Sequence, residues 1–452
     1  MISKFINRED ELNLLEEEWK RDRATLIILY GRRRIGKTRL LLEFVKDKEG
    51  IFYIAEDTSS KIQIEQLKEK IAEFLGDELL KRIDIKDWDE LFLYLAKNMP
   101  DKRFYLILDE FTYLIRSDQR ILSVLQKLWD LEFSNSKIFI VLSGSLLGLM
   151  SEAVLSYASP LYGRRTRDIL LEELNFKFAM EFVSYSFEDT VKLYMTTGGV
   201  PEYLIKASDY NSLEDFLRRE FFSKWGYFYR EPYFIISQEF KELKTYFSIL
   251  NAIAFGKTKP SEIANFIGVE IRKIYPYLEN LIRLGFVRRI TPVFSKGNRG
   301  IYVIRDTIFD FWFNTVFKHR EEIEAETFEI DYNELSMYYG KRFEIFAREQ
   351  IIPVFFRGYK CGKWWYKEDE IDVVVFNEKE RVIYFMECKW SDLNNRDVRR
   401  IVKSLERKSE LVKVSDDWKR SYGIIAKSVD ERDSISDDVV IIDLRDFRKK
   451  LS

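Results

Sequence analysis

Cysteine is nearly absent from this chain of 452 residues. Cys361 and Cys388 are the two present, so neither a disulfide framework nor a cysteine-rich zinc site can be built. Histidine is scarcer still: His319 is the single one, and between Lys318 and Arg320 it reads as a solvated surface residue. No run approaches the ~20 apolar residues a membrane span needs, and the opening "MISKFINREDELNLL" has no apolar signal core. These absences predict a soluble, cytoplasmic protein with no membrane partner. Net charge of one sign is missing too. At −2 the chain has no bulk attraction to nucleic acid, so any such binding requires a local basic patch.

What is abundant is apolar and charged material together. Hydrophobic residues make up 46%, aromatics 15% and charged residues 33%, enough to bury several cores, and the length suggests about three domains of ~150 residues. The Lys/Glu-rich, Gln-poor bias resembles that of heat-adapted proteins.

The stretch "LIILYGRRRIGKTRLLLEF" runs from a β-branched strand (26–30) through a glycine-bounded loop into a helical pattern. Gly31, Gly36, Lys37 and Thr38 complete the spacing of a phosphate-binding loop. The glycines let backbone N–H groups turn toward phosphate oxygens. Lys37 reaches the β- and γ-phosphates, Thr38 offers a hydroxyl to Mg²⁺, and the helix adds its positive end. A buried strand ending in carboxylates should complete the site, and "KRFYLILDEF" supplies one. Asp109 is placed to hold the Mg²⁺ shell and Glu110 to orient or deprotonate the attacking water. A third strand, "SKIFIVLSGS", ends in Ser143, Gly144 and Ser145. A small polar residue there either senses the γ-phosphate or forms a plain strand-to-helix turn.

In order along the chain stand "FINREDELNLLEE", "GRRRIGKT", "LILDEF", "VLSGSLLGLM", "SPLYGRRT" and "TTGGVPEYL". Together they resemble the archaeal ATPase family within the AAA+/STAND group of P-loop NTPases, over about residues 1–235. The usual opening glycine-arginine pair is here Asn7-Arg8. The resemblance implies ATP and Mg²⁺ as cofactors. It makes Arg8 and Pro201 base-pocket residues, with Gly198 and Gly199 shaping the lid of that pocket. It also makes Arg164 and Arg165 phosphate-sensing arginines, since a guanidinium can neutralise charge on a transferring phosphoryl group. Such arginines act in their own subunit or in a neighbour's, so a homo-oligomer is among the expected states.

Residues 171–235 carry helix-length apolar periodicity rich in Phe and Tyr, as in a helical lid, and "YREPYF" reads as a linker. From Tyr246 the pattern changes. "KPSEIANFIG" has Ser261 as a helix cap and Gly268 as a stop. The next helix places Ile271, Ile274, Tyr275, Leu278, Leu281 and Ile282 on one stripe, with its regular part starting near Tyr275 because of Pro276, and Gly285 ends it. "FVRRITPV" and "GIYVIRD" then read as strands around the basic loop "FSKGNR", completing a winged helix-turn-helix. Residues 270–305 hold eight Lys/Arg against two acids, the footprint expected for DNA phosphates, with Arg272, Lys273 and Tyr277 on the outer face. Protein contact or simple solvation is the competing reading.

Near the end, "EIDVVVF" and "RVIYFMECKW" read as a hairpin turning over 377–380. Pairing Asp372 with Phe385 puts Asp372, Glu387 and Lys389 on one face, where two carboxylates can hold Mg²⁺ and the lysine can serve phosphate charge. The arrangement resembles the restriction-endonuclease-like PD-(D/E)xK superfamily over about 330–452, although Ile371 stands where the proline of that name would be. The resemblance implies a further acid from the preceding helix, with Glu344 preferred to Glu349. An ion network in a catalytically silent relative is the alternative.

The expected fold is therefore a multidomain α/β chain. It comprises a P-loop ATPase core with a parallel sheet (1–170), a helical lid (171–235), a winged helix-turn-helix (236–320) and a restriction-endonuclease-like α/β domain (321–452). The expected function is ATP hydrolysis coupled to DNA binding, with Mg²⁺-dependent cleavage by the tail. The rival is a nucleotide-switched scaffold or transcription regulator whose tail only binds DNA or protein.

Overall fold

The computed structural model describes residues 5–295, 300–430, 432, 435–436 and 438–451. Contacts divide the chain into two compact units. One comprises Met1–Glu173 with Val200–Glu202, and the other Leu174–Gly199 with Tyr203–Ser452.

The first unit is built on five parallel strands, β1 (Thr25–Tyr30), β2 (Gly50–Ile54), β3 (Phe104–Asp109), β4 (Ile138–Gly144) and β5 (Arg167–Leu170), in the order β2-β3-β4-β1-β5. Parallel strands need helical crossovers, which cover both faces and explain the near-continuous apolar runs. Alternation sorts those runs cleanly. Leu26, Ile28, Leu106 and Leu108 pack with Trp88, Phe92 and Leu125 on one side, while Ile27, Leu29 and Ile107 pack with Leu15, Leu40 and Phe44 on the other. β4 lies between β1 and β3, so the ends of three strands converge where the chain order reverses, the usual place for a ligand in such sheets.

The second unit begins with helices joined by an aromatic core. Phe221 stacks on Phe228 at 4.4 Å between centroids and meets Phe311 edge-on at 5.0 Å. The segment expected as a linker is instead the helix Tyr227–Glu239, with Pro232 buried inside it. Its neighbours hold the helix together despite the missing N–H, which by itself costs about 3 kcal/mol. Three helices follow, Leu243–Ala254, Pro260–Ile267 and Ile271–Arg283, then an antiparallel pair, β6 (Val287–Ile290) and β7 (Ile301–Ile304).

Gly268 and Gly285 end their helices at positive φ as expected. Ser261 is not the cap, because the Glu262 carboxylate takes the N–H groups of Thr258 and Lys259 instead. The helix also starts at Ile271 rather than near Tyr275. Its buried stripe is the narrower set Ile274, Leu278 and Leu281, leaving Ile271, Tyr275 and Ile282 exposed.

The last sheet has the order β12-β11-β10-β9-β8, made of β8 (Lys360–Tyr366), β9 (Asp369–Asn377), β10 (Val382–Leu393), β11 (Lys419–Val429) and β12 (Val439–Asp443). β8, β9 and β10 are antiparallel neighbours, whereas β10, β11 and β12 run parallel, with the helix Asn395–Ser409 as crossover. Phe385 pairs with Val374, not with Asp372. The hairpin register is thus two residues from the expected one, because the turn occupies 378–381 with Arg381 at φ 52°. A shift of two preserves the face of every side chain. The β9–β10 ladder ends at Val373 with Met386.

Candidate functional site

At the end of β1 the backbone of Gly31 runs so close to Leu171 that an added Cβ would lie 2.5 Å from its carbonyl oxygen. Gly36 at φ 94° turns the loop into the helix Lys37–Phe44. Lys37 is buried, and its ammonium donates to the carbonyls of Gly31 (2.9 Å) and Arg32 (3.0 Å). Thr38 Oγ1 donates to Asp109 Oδ2 at 2.5 Å, which joins the loop to the end of β3. Asp109 is wholly buried, and its other oxygen accepts the N–H of Glu110 at 3.0 Å. Glu110 sits in the left-handed region at φ 51°, an uncommon conformation for a non-glycine residue, and its carboxylate accepts from Ser145 Oγ at 2.6 Å.

Ser143, at the end of the intervening strand, is fully buried, and among the described residues its hydroxyl has no hydrogen-bond partner. An orphaned hydroxyl, a buried ammonium and a Thr/Asp oxygen pair around a glycine-bounded loop fit a nucleoside triphosphate with its Mg²⁺. Lys37 and the loop N–H groups would hold the phosphates, and Thr38 and Asp109 the metal.

Arg8 braces this loop from behind. It is buried, donates to the carbonyls of Ile35 (3.3 Å) and Glu172 (2.6 Å), and pairs with Glu11 at 3.1 Å. Burial pulls its guanidinium below the ordinary value, and Glu11 opposes that. Pro201 belongs to the short return segment Val200–Glu202, whose Glu202 approaches Arg34 at 3.7 Å. Gly199 falls in the second unit, where an added Cβ would lie 1.8 Å from the Leu174 carbonyl oxygen. Its role there is close backbone passage.

Sequence reasoning passed over the three loop arginines. Arg32 reaches Glu173 (3.5 Å), Arg33 donates to the Tyr113 hydroxyl (2.5 Å) and Arg34 faces Glu202, so each ties the loop to a different element. Their one signal was the triplet itself.

Arg164 and Arg165 are not brought to the phosphate loop of their own chain. Thr166 next to them exchanges hydrogen bonds with Leu26 at the start of β1, whereas the loop follows its end, about 15 Å away at strand rise. Arg164 makes two 2.8 Å bonds to Asp130, and Arg165 donates to the Leu155 carbonyl and pairs with Asp168 at 3.4 Å. The expected sensing role within one subunit has no support in this geometry.

In the C-terminal sheet, Asp372 is buried and its Oδ2 accepts the Cys388 N–H at 3.0 Å. Burial pushes its carboxyl up to about 7, helped by the nearby charges of Glu344 and Glu387 and opposed by the Cys388 N–H and Lys363. Glu344 is the acid on this side. Glu349 instead turns to Arg288.

The cations here were only partly foreseen. Lys389 pairs with Glu387 at 2.8 Å, as its position suggested. Lys363 on β8 lies 2.9 Å from Glu344, 3.0 Å from Glu370 and 4.0 Å from Asp372, and Lys408 lies 3.4 Å from Glu387. No local motif marks Lys363 or Lys408. The expected metal set Asp372, Glu387 and Glu344 is therefore drawn into ion pairs, and among the described residues no group of three or more His, Cys, Asp or Glu could hold a metal ion. In this arrangement these carboxylates are neutralised by lysines and do not form a divalent-cation site.

On the helix Ile271–Arg283, Arg272 and Lys273 are exposed, while Tyr277 is half-buried and donates to Glu242 at 2.7 Å. One charge of the expected basic footprint is paired. Arg288 is bound to Glu349, and Lys296 and Arg299 lie outside the described residues.

Comparison with known proteins agrees with the nucleotide-binding part of this picture. Residues 5–207 match a family described as an ATPase domain predominantly from Archaea, and 312–401 a family of archaeal and bacterial proteins of unknown function. An uncharacterized protein of Methanocaldococcus jannaschii is 35% identical over 98% of this chain and 100% of its own length. An uncharacterized ATP-binding protein of the same organism is 52% identical over 48 residues, covering 11% of this chain and 81% of that one. Among solved structures, the Walker-type ATPase of Pyrococcus abyssi superposes with a TM-score of 0.52 at 21% identity, over 68% of this chain and 96% of that one.

Proposed function

This chain belongs to the family of archaeal P-loop ATPases that carry the C-terminal domain of unknown function, and from that premise we propose that it couples ATP hydrolysis to engagement of DNA. The observation that carries the nucleotide half is the Thr38–Asp109 hydrogen bond beside buried Lys37. In this reading Lys37 and the loop N–H groups bind the triphosphate, and Thr38 and Asp109 hold Mg²⁺. That ion, when bound, supplies charge neutralisation for phosphoryl transfer. Glu110 orients the attacking water, and its bond to Ser145 restrains it until substrate is seated. Ser143 reads the γ-phosphate with its unpartnered hydroxyl.

DNA engagement rests on the winged helix-turn-helix reading of residues 243–304. Arg272 and Lys273 on its third helix contact phosphates, and Tyr277 contributes through its edge. The tail is read as a Mg²⁺-dependent phosphodiesterase of restriction-endonuclease-like fold, with Asp372, Glu387 and Glu344 as ligands and Lys389 serving the scissile phosphate. A specific observation supports a second reading, in which the tail is a silent relative on a nucleotide-switched scaffold: each of these carboxylates already has a lysine beside it or within reach. Arg164 and Arg165, turned away from their own loop, fit service to a neighbouring subunit's nucleotide.

Incubation of the pure protein with linear and branched DNA, with and without ATP and with Mg²⁺ or Mn²⁺, tests the whole scheme. Binding that falls steeply with salt and weakens in Arg272→Ala/Lys273→Ala is expected. Salt-independent binding would assign the helices to protein contact, and intact DNA in every nucleotide state would favour the silent tail.

A further inference from the structure

The helix Ile271–Arg283 carries apolar side chains that its own fold does not use. Ile274, Leu278 and Leu281 seal its inner face, whereas Ile271 is 44% exposed and Tyr275 43%. The two stand one turn apart, at i and i+4, so they share one strip of the helix surface. Val269, in the turn just before, is open to solvent as well, and its N–H is fixed by a 3.0 Å bond to the Ala264 carbonyl. A single exposed apolar residue needs no explanation, but three gathered at the start of one helix mark a contact surface.

The same stretch is cationic. Arg272 and Lys273 are exposed and follow round the outer face of the helix, so whatever covers Ile271 and Tyr275 also meets two positive charges. A partner that is anionic at its rims and offers small apolar groups between them matches both features. The major groove of duplex DNA is such a partner. Phosphates line its rims, and the apolar group among its base edges is the C5-methyl of thymine. A recognition helix meets base edges with its N-terminal residues, which is where Ile271 and Tyr275 lie.

We propose that Ile271 and Tyr275, with Val269 beside them, read thymine methyl groups, so that this chain prefers duplex DNA carrying thymine in the major groove. The inference rests on the reading that assigns this helix to DNA, and it adds the chemistry by which one sequence is preferred to another. Arg272 and Lys273 hold phosphates whatever the sequence, and such contacts position the helix without selecting bases. The apolar strip gains only where a methyl group is present. Each methyl taken out of water against it is worth about a fourfold change in affinity.

The test compares a duplex of alternating adenine and thymine with the same duplex carrying uracil in place of every thymine. Uracil keeps each phosphate and each hydrogen-bonding edge and lacks only the methyl. An alternating duplex presents a thymine at every base pair, so no particular site need be known. Binding of the full chain is read by fluorescence anisotropy over a range of salt, with and without ATP and Mg²⁺. Wild type is expected to bind the thymine duplex at least fourfold more tightly. Ile271→Ala/Tyr275→Ala should bring that ratio within twofold of parity, whereas Arg272→Ala/Lys273→Ala should weaken both duplexes alike and keep the ratio. Equal affinity of wild type for the two duplexes overturns this inference and leaves DNA engagement standing. A preference that persists in Ile271→Ala/Tyr275→Ala refutes the role given to these side chains. Salt-independent binding, or no binding to either duplex in any nucleotide state, overturns the DNA reading itself, and the inference with it.

Discussion

Replacing Lys37 by alanine separates nucleotide binding from everything else the first unit does. The ammonium is buried in the loop and donates to the carbonyls of Gly31 and Arg32. When a triphosphate enters, these donors are re-aimed at phosphate oxygens, and a hydrogen bond to a charged group is worth about 1.5–3 kcal/mol. Losing two such bonds costs about 3–6 kcal/mol of binding energy, a fall in ATP affinity of about 10²- to 10⁴-fold. The fold should survive, because the loop carbonyls left behind can turn to water and the sheet core lies beneath them. Calorimetric titration of wild type and Lys37→Ala with ATP and Mg²⁺ measures the loss, and a thermal melt without nucleotide checks the fold. Affinity within threefold of wild type, with an unchanged melt, would refute the assignment of this loop as the phosphate site.

Glu110→Gln should bind ATP with near wild-type affinity but turn it over at least 100-fold more slowly, since the amide cannot act as a base; equal turnover in a steady-state phosphate-release assay would remove Glu110 from the chemistry. Asp372, with its carboxyl raised to about 7 in the folded chain, disfavours the folded state increasingly as pH climbs from about 4 to about 7, where the unfolded chain has already released its proton. Asp372→Asn should flatten that decline and raise stability at pH 8 by an amount on the order of a few kcal/mol, read from denaturant midpoints in the presence of a chelator; an unchanged pH slope would place the carboxylate in a wetter setting. Gly199→Ala drives a Cβ into the Leu174 carbonyl and should lower the melting temperature by at least ~5 °C, and a neutral melt would show that this backbone approach is not as tight as drawn.

The nucleotide site was legible because its parts are local. Gly31, Gly36, Lys37 and Thr38 fall within eight residues, and the strand ending at Asp109 announces itself by an apolar run. The two-sided burial of these strands needs no tertiary knowledge either. Other features depend on distant chain. Arg164 lies away from the loop because β5 pairs with β1 from its start, a choice invisible in "YGRRT". Lys363 meets Glu344, Glu370 and Asp372 from residues around it in space, and no local pattern in the sequence marks it. The hairpin register slipped by two because Arg381 adopts a left-handed conformation usually given to glycine or asparagine, so the turn could not be placed from residue types. A period of two is indifferent to a shift of two, and Asp372 still feels the charge of Glu387.

The mixed pairing of the last sheet sets an order of assembly. β8, β9 and β10 are joined by short turns, and hairpins of this kind form in microseconds once their strands exist. β11 must wait for the helix Asn395–Ser409 to carry the chain back across the sheet before it can pair with β10 in parallel. Until then β10, twelve residues long and opening on the apolar run Val382–Met386, is an open edge able to recruit a strand from another molecule. A chain released or cut before Lys419 keeps the acidic cluster of Asp372 and Glu387 but exposes that edge for good. Such a fragment should aggregate rather than behave as a small independent domain.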